Sequence, residues 1–393
     1  MINMSVRVLY ILFIVIFLSC KSTRFNVDNS INYCLNQTKK TIELLPSDSI
    51  NIPRSVHKDS SNWKCANYKD WTSGFWPGIL WYAYEYSHDS SYKNAADKYS
   101  NELNPLVYKS AYSHDLGFKM YCSFGNGFRI TQNESYKKKL LVTADTLATL
   151  YNPKVGTILS WPVYVKQFGP HNTIMDNMMN LELLFWAAKN GGGDELYNIA
   201  VNHATKTANN HFRDDYTCYH VMLYDTVTGK KIKGVTHQGY NDSSTWARGQ
   251  AWAIYGFTMC FRETKNPLFL TTAEKATDTY LHILPSDLIP NWDFNAPDEH
   301  TKDVSALCII ASALLELSEL ISDKAKSKMY RKKAETMLYN ISNKKFQSRN
   351  INSSFLLHST GNKPAGIEID ASIIYADYYY LEALLRLKKL QNK

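Results

Sequence analysis

The sequence predicts an all-α fold, a six-fold α/α toroid: a double ring of twelve helices with one small β-hairpin. Three observations lead there. Helical periodicity dominates the chain after residue 28. The helices alternate between two kinds, one apolar on every side and one with a charged stripe, and these belong to buried and water-facing positions respectively. No linker divides the chain, and no strict period of roughly 34 or 40 residues marks a helical solenoid. Six buried helices ringed by six exposed ones fit a closed barrel better than an open stack.

The helical segments fall near residues 30–45, 73–88, 91–108, 114–128, 133–150, 174–190, 194–211, 243–263, 267–283, 302–319, 324–342 and 370–388. Gly191-Gly192-Gly193 stops one helix, and Pro267 and Pro285 punctuate others. The run Gly249-Gln250-Ala251-Trp252-Ala253-Ile254-Tyr255-Gly256 typifies the inner kind. Lys137-Lys138-Lys139 and Arg331-Lys332-Lys333 mark the outer kind. The β-hairpin is read at Tyr219–Tyr224 and Lys230–Val235, joined by Asp225-Thr226-Val227-Thr228-Gly229. Residues 25–390 are read as one domain.

Of 393 residues, 45% are apolar and 20% charged, which excludes a disordered, collagen-like or multi-span membrane chain. Aromatics reach 13%, more than a core requires, and stacking on sugar rings is one use for the surplus. The net charge of +8 is too weak a basic excess to point to nucleic acid. Residues 1–20 read as a signal peptide: Arg7, then an apolar stretch from Val8 to Leu18 too short to span a bilayer. They end in Phe17-Leu18-Ser19-Cys20, similar to a lipoprotein cleavage site, which predicts a lipid anchor at Cys20 facing the periplasm. Cys34, Cys65, Cys122, Cys218, Cys260 and Cys308 lack metal-binding spacing and read as buried apolar residues, with room for one or two disulfides in an exported chain. No metal and no cofactor is expected.

Polar residues on the apolar helices carry the chemical information. Asp115, in Ser113-His114-Asp115-Leu116-Gly117-Phe118, and Asp176, in Thr173-Ile174-Met175-Asp176-Asn177, each fall in a first helical turn. One reading is structural, since carboxylates complement helix N-termini and Thr173 and Asp176 have capping-box spacing. The other is catalytic: two carboxylates on one rim supply an acid and a base, provided burial and mutual repulsion hold a proton on one of them. Arg248 and Trp252 stand one helical turn apart, behind Asp242 or Ser243 as the cap. They offer a guanidinium fork for a ligand carboxylate and a flat face for a ring, or else an arginine paired to a core acid with Trp252 as packing.

Taken together, several segments resemble glycoside hydrolase family 88, the unsaturated glucuronyl hydrolases. They are DWTSGFWPGILW at 70–81, HDLGF at 114–118, Trp161 in SWP, MDNMMNLELLFWA at 175–187, His220, HQGYNDSSTWARGQAWAIYG at 237–256 and IYADYYYLEALLR at 374–386. The resemblance implies the same toroid and removal of a 4,5-unsaturated uronic acid from the non-reducing end of a lyase-generated oligosaccharide. The chemistry implied is hydration of an enol ether followed by ring opening. It implies Asp176 as the group that protonates C4 and handles water, and Asp115 as its partner on the ring hydroxyls. His114, Trp161, His220, Gln238, Arg248 and Trp252 fall where the family contacts the sugar, its carboxylate and the catalytic water. Ser359 and Lys363 are candidate sulfate contacts in a C-terminal turn. The competing readings are an unsaturated rhamnogalacturonyl hydrolase acting on pectic fragments and a non-catalytic oligosaccharide-binding lipoprotein.

Overall fold

The structure is a computed structural model that describes residues 25–46, 51–297 and 300–393. The expected signal peptide and Cys20 lie outside them. The chain runs through α1 (Val27–Leu44), β1 (Ile52–Val56), β2 (Lys64–Ala66), α2 (Phe75–Ser87), α3 (Ser90–Asn101) and α4 (Asn104–Val107). Next come α5 (Leu116–Met120), a π-turn at Tyr121–Gly125, α6 (Asn126–Thr131), α7 (Glu134–Ala148), β3 (Tyr151–Asn152), β4 (Thr157–Ile158), α8 (Val165–Phe168) and β5 (His171–Ile174). A 3₁₀ turn at Met175–Asn180 leads into α9 (Leu181–Ala187), followed by α10 (Asp194–Asn210), β6 (Val221–Tyr224), β7 (Lys231–Val235), α11 (Ala247–Thr264) and α12 (Pro267–Ile283). The chain closes with α13 (Val304–Leu320), α14 (Lys324–Ile341), β8 (Ser372–Ile373) and α15 (Ile374–Gln391).

Six helical units form the inner ring: α2, α5–α6, the 3₁₀ turn with α9, α11, α13 and α15. Neighbours pack in that order, and α15 packs back on α2 to close the circle. Their sequences explain the burial. In α11 every residue from Ala247 to Cys260 is buried, and in α13 every residue from Val304 to Leu315. The outer units α1, α3–α4, α7, α10, α12 and α14 bury only one stripe each, as Tyr330, Ala334, Met337, Leu338 and Ile341 do in α14. The predicted toroid is therefore the observed one.

Close approach within the inner ring needs missing side chains. A Cβ on Gly117 would lie 2.4 Å from the Asn180 Cα, and one on Gly74 would lie 2.3 Å from the Lys119 carbonyl oxygen. Those two contacts draw the entry turns of three inner units together.

Three short sheets decorate the ring. The predicted hairpin is present, but β6 also pairs with β5, so His171–Ile174 form a strand where the sequence suggested a loop and the start of a helix. β1 lies between β2 and β8, joining the two ends of the chain. Strands of two to five residues are too short to display a period of two in the sequence. The six described cysteines are all free thiols, and all but Cys65 are buried. The reading as apolar packing holds, and the suggested disulfides do not form among them. Among the described residues no helix is long and apolar enough to cross a membrane, and no cluster of His, Cys, Asp and Glu suits a metal ion.

Candidate active site

Each inner unit is preceded by an outer one that returns the chain, so the inner N-termini share one rim. Asp115 immediately precedes α5, Asp176 lies in the first turn after β5, Arg248 in the first turn of α11 and Tyr375 in the first turn of α15. Neither aspartate caps a helix. Thr173 belongs to β5 and bonds Thr157 Oγ1 at 2.9 Å, so the capping-box reading fails. The Asp115 carboxylate accepts from Ser113 Oγ at 2.7 Å and makes no cap bond.

The site contains two histidine–aspartate pairs of matching design. His220 Nδ1 faces the backbone N–H groups of His237 and Gln238 at 3.2 and 3.3 Å, so it must be an acceptor. The proton of a neutral ring then sits on Nε2, which lies 3.5 Å from Asp176 Oδ2. In the second pair the Asn180 side chain sets the tautomer. Its Oδ1 accepts from Phe118 N at 2.8 Å, which leaves Nδ2 to donate to His114 Nδ1 at 3.1 Å. His114 Nε2 thus lies 3.3 Å from Asp115 Oδ1. Asn180 ties the two pairs together, because it sits on the turn of Asp176 and holds the helix that follows Asp115.

Both rings are buried, yet His114 Nε2, His220 Nε2 and Asp176 Oδ2 have no hydrogen-bond partner. Contacts of 3.3–3.5 Å are long for hydrogen bonds, so each imidazole faces its carboxylate without a closed bond between them. Burial pushes the Asp176 carboxyl up, but His220, then His114 and Arg248, outweigh it and hold the group below the usual carboxylate range. In the unliganded protein Asp176 is therefore ionised, against the sequence-based requirement that burial and repulsion keep a proton on it.

Arg248 is 1% exposed and its partners are internal. Nη1 donates to Asp303 Oδ2 at 2.6 Å and to the Thr360 carbonyl at 2.5 Å, and Nη2 donates to the Gly361 carbonyl at 2.5 Å. The alternative of an arginine paired to a core acid is thus the observed one. Asp303 caps α13 through Ser305 N, and it supplies the negative charge that an arginine at a helix N-terminus needs. Part of the guanidinium's donor capacity remains, and its field reaches Asp176. The expected cap of α11 by Asp242 or Ser243 is not formed. Trp246 occupies that position, and Asp242 accepts from Thr236 N instead.

Trp252 is a correction: it is 0% exposed, wedged edge-on between Phe118 and Tyr379. It is part of an aromatic plug across the barrel axis, and other rings line the site. Trp246 stacks on His220 with centroids 4.4 Å apart, and Trp161 meets His220 and His237 edge-on. Tyr375 lies under Arg248 and beside Trp71 at 4.9 Å. Gln238 is half-buried, and its Nε2 donates to the Gly361 carbonyl at 3.2 Å. Ser359 is also corrected, since it is fully enclosed and its backbone pairs with Ala371. It cannot meet a sulfate without opening the loop. Lys363 Nζ bonds Thr301 Oγ1 at 2.7 Å and lies over Trp292.

Asn180, Asp303, Trp246 and Tyr375 escaped the sequence reading as site residues. Asn180 was within reach: it is a polar residue on an otherwise apolar inner helix, the same signal that singled out Asp115 and Asp176.

Comparison with known proteins places this geometry. Residues 48–381 match Glycosyl Hydrolase Family 88. An unsaturated glucuronyl hydrolase of Formosa agariphila is 41% identical, covering 94% of this chain and 92% of its own. An unsaturated chondroitin disaccharide hydrolase of Streptococcus agalactiae is 33% identical over 93% and 92%. The crystal structure of an unsaturated glucuronyl hydrolase specific for heparin superposes with a TM-score of 0.87 at 39% identity, covering 93% of this chain and 98% of that one. With matched fold, near-complete coverage and this rim of paired acids and imidazoles, the chain belongs to glycoside hydrolase family 88.

Proposed function

We propose that this glycoside hydrolase releases a 4,5-unsaturated glucuronic acid from the non-reducing end of lyase-generated glycosaminoglycan oligosaccharides, with Asp176 as its acid and base. The observation that carries the residue assignment is the Asp176–His220 pair. A buried carboxylate oxygen without a partner faces an imidazole N–H that also has none. The relatives named for unsaturated glucuronyl and chondroitin disaccharide substrates support the substrate class.

His220, then His114 and Arg248, hold the Asp176 carboxyl below the usual carboxylate range in the empty site. A substrate carboxylate arriving beside Arg248 and His220 neutralises that field, and burial then favours the protonated acid. The acid delivers its proton to C4 of the enol ether, and positive charge develops at C5 and the ring oxygen. Water adds to C5 while the Asp176 carboxylate takes one of the water's protons, so the carboxyl group is regenerated and one water is consumed. The resulting C5 hemiketal opens by breaking the bond from C5 to the ring oxygen, which leaves a C5 ketone and a hemiacetal at C1, and collapse of that hemiacetal to an aldehyde releases the departing sugar as an alcohol. Asp115, held by Ser113 and facing His114, is placed to accept from ring hydroxyls. In the same reading the chain works from a periplasm-facing lipid anchor at Cys20, and a Cys20→Ala variant recovered in the membrane fraction would remove that part.

The test uses unsaturated disaccharides from heparin, chondroitin and hyaluronan, following loss of the absorbance of the conjugated double bond. We expect turnover on at least one, and about a 10²–10⁴-fold fall in kcat for Asp176→Asn. No turnover on any substrate overturns the reading, and full turnover by the variant discards the acid.

A further inference from the structure

The segment from Ser359 to Ala371 is a hairpin that lies against Arg248 and Gln238. Ser359 pairs with Ala371 and Asn362 with Ile367, and Gly361 N donates to the Glu368 carbonyl at 2.8 Å. His358 at its base and Glu368 and Asp370 on its returning strand have positive φ values of 64°, 54° and 53°. Residues with a Cβ resist that region, so they keep it where surrounding contacts hold them there.

Two arginines grip the hairpin, one on each strand. On the first strand Arg248 donates to the Thr360 and Gly361 carbonyls, and Gln238 Nε2 donates to the same Gly361 carbonyl. On the returning strand Arg54 Nε donates to Glu368 Oε1 at 2.7 Å, while Arg54 Nη1 reaches Asp70. The bridge is largely shielded, with the Arg54 side chain 15% exposed and that of Glu368 7%. Asp70 accepts from Thr72 N at 2.9 Å and Thr72 Oγ1 at 2.7 Å, which fixes the turn that carries Trp71. The two grips meet at Gly361. A Cβ there would lie 2.6 Å from Glu368 Oε2, so the carboxylate that Arg54 holds packs on the residue whose carbonyl Arg248 and Gln238 share. Tyr375 lies between the same groups, its ring centroid 5.3 Å from the Arg248 guanidinium and 4.9 Å from the Trp71 ring. Contacts thus run unbroken from Asp70 through Arg54, Glu368 and Gly361 to Arg248.

We propose that Arg54 is a positioning residue: by holding Glu368 and the hairpin, it sets the orientation in which Arg248 and Gln238 meet the substrate carboxylate. The inference rests on the reaction proposed above. Without Arg54 the returning strand loses its tether, Glu368 keeps a shielded charge without its partner, and the positive-φ turn relaxes. The Thr360 and Gly361 carbonyls then no longer hold the guanidinium in one orientation. Asp176 and His220 stand on other elements, so substrate that does bind still reacts.

The experiment measures steady-state kinetics of the full chain and its variants on an unsaturated disaccharide, with the methyl ester of its uronate carboxyl as a competitive inhibitor. Arg54→Met should raise KM about ten-fold, roughly the worth of one weakened charge-assisted hydrogen bond, while kcat falls by less than about three-fold. Glu368→Gln should act in the same way. The double variant should be little worse than either single one, because both remove one shared contact. Arg54→Lys keeps the charge and should recover part of the affinity; with Glu368→Gln it carries the test if Arg54→Met folds poorly. The methyl ester presents no charge to Arg248, so its inhibition constant should stay the same in every variant. An unchanged KM, a fall in kcat as large as the rise in KM, or an equal loss of methyl ester binding overturns the proposal. The last of these would mark a purely structural role. Failure of the wild type to turn over the disaccharide overturns the reaction itself, whereas an unchanged KM in an active enzyme removes only the role of Arg54.

Discussion

Single side chains at this rim act through the tautomers and charges they impose on others. The Asn180 amide fixes the proton of His114 and accepts from Phe118 N. Asn180→Leu leaves both partners buried and unpaired, which costs about 1–3 kcal/mol in stability and should lower kcat more than it raises KM. Steady-state kinetics with a denaturant titration checks both. Lys119 makes a parallel case. It is 1% exposed, and its Nζ donates to Tyr112 Oη at 2.6 Å and to the Lys69 carbonyl at 3.1 Å, joining the loops that carry Asp115 and Trp71. Burial pulls its ammonium down to about 8, while Asp115 and Asp70 oppose the fall. Above that pH the amine is neutral and the positive charge behind Asp115 is gone. Activity should therefore decline along an alkaline limb near pH 8, and Lys119→Met should flatten that limb while lowering the plateau. An unchanged limb in the variant would clear Lys119 of any part in it.

At the scale of elements, the inner ring depends on turns that only glycine permits. Gly117→Ala sets a methyl against the Asn180 backbone, which has no room to yield, so the entry to α5 must shift away from the turn of Asp176. The expected result is a melting temperature several degrees lower and a loss in kcat exceeding the loss in folded fraction, read by calorimetry and turnover on the same sample. Sequence patterning revealed the helices because twelve amphipathic or fully apolar segments each span several turns. The same logic missed the sheet of β1, β2 and β8. It also missed what holds the C-terminal loop, where Arg54 bridges Glu368 at 2.7 Å and reaches Asp70. The Arg54–Glu368 bridge and the β1–β8 pairing join residues more than 300 positions apart, and no local periodicity encodes them. Trp252 was misplaced for a related reason. Helical spacing put it on the same face as Arg248, but the depth of that face within the ring depends on Phe118 and Tyr379 from other helices.

The whole molecule combines an acid-dependent reaction with an interior that resists acid poorly. His171, His203 and His211 are buried beside the site strands, and burial holds all three imidazoles neutral: His171 is pulled to about 4, His211 to about 3, and His203 falls well below its usual range. His203 Nδ1 accepts from Ile158 N at 3.0 Å, a bond that a protonated ring at that nitrogen would lose. In the unfolded chain these groups titrate near 6.5. Below that value the unfolded state takes up protons that the folded state refuses, so stability is complete above pH 6.5 and is lost as pH falls towards 4 and 3. The slope is on the order of 1.4 kcal/mol per pH unit for each group. Urea unfolding at pH 7.5 and pH 5 should show a clear loss of stability, and His171→Asn should make that loss smaller; equal stability at the two pH values would contradict the account. The result also bears on the reaction. If activity fades on the acid side because the substrate carboxylate is protonated and no longer offsets the field around Asp176, it returns at once when the sample is neutralised, whereas loss through the histidines follows the unfolded fraction and depends on time. Measuring activity and urea midpoint across the same pH series separates the two, because only the second moves with His171→Asn.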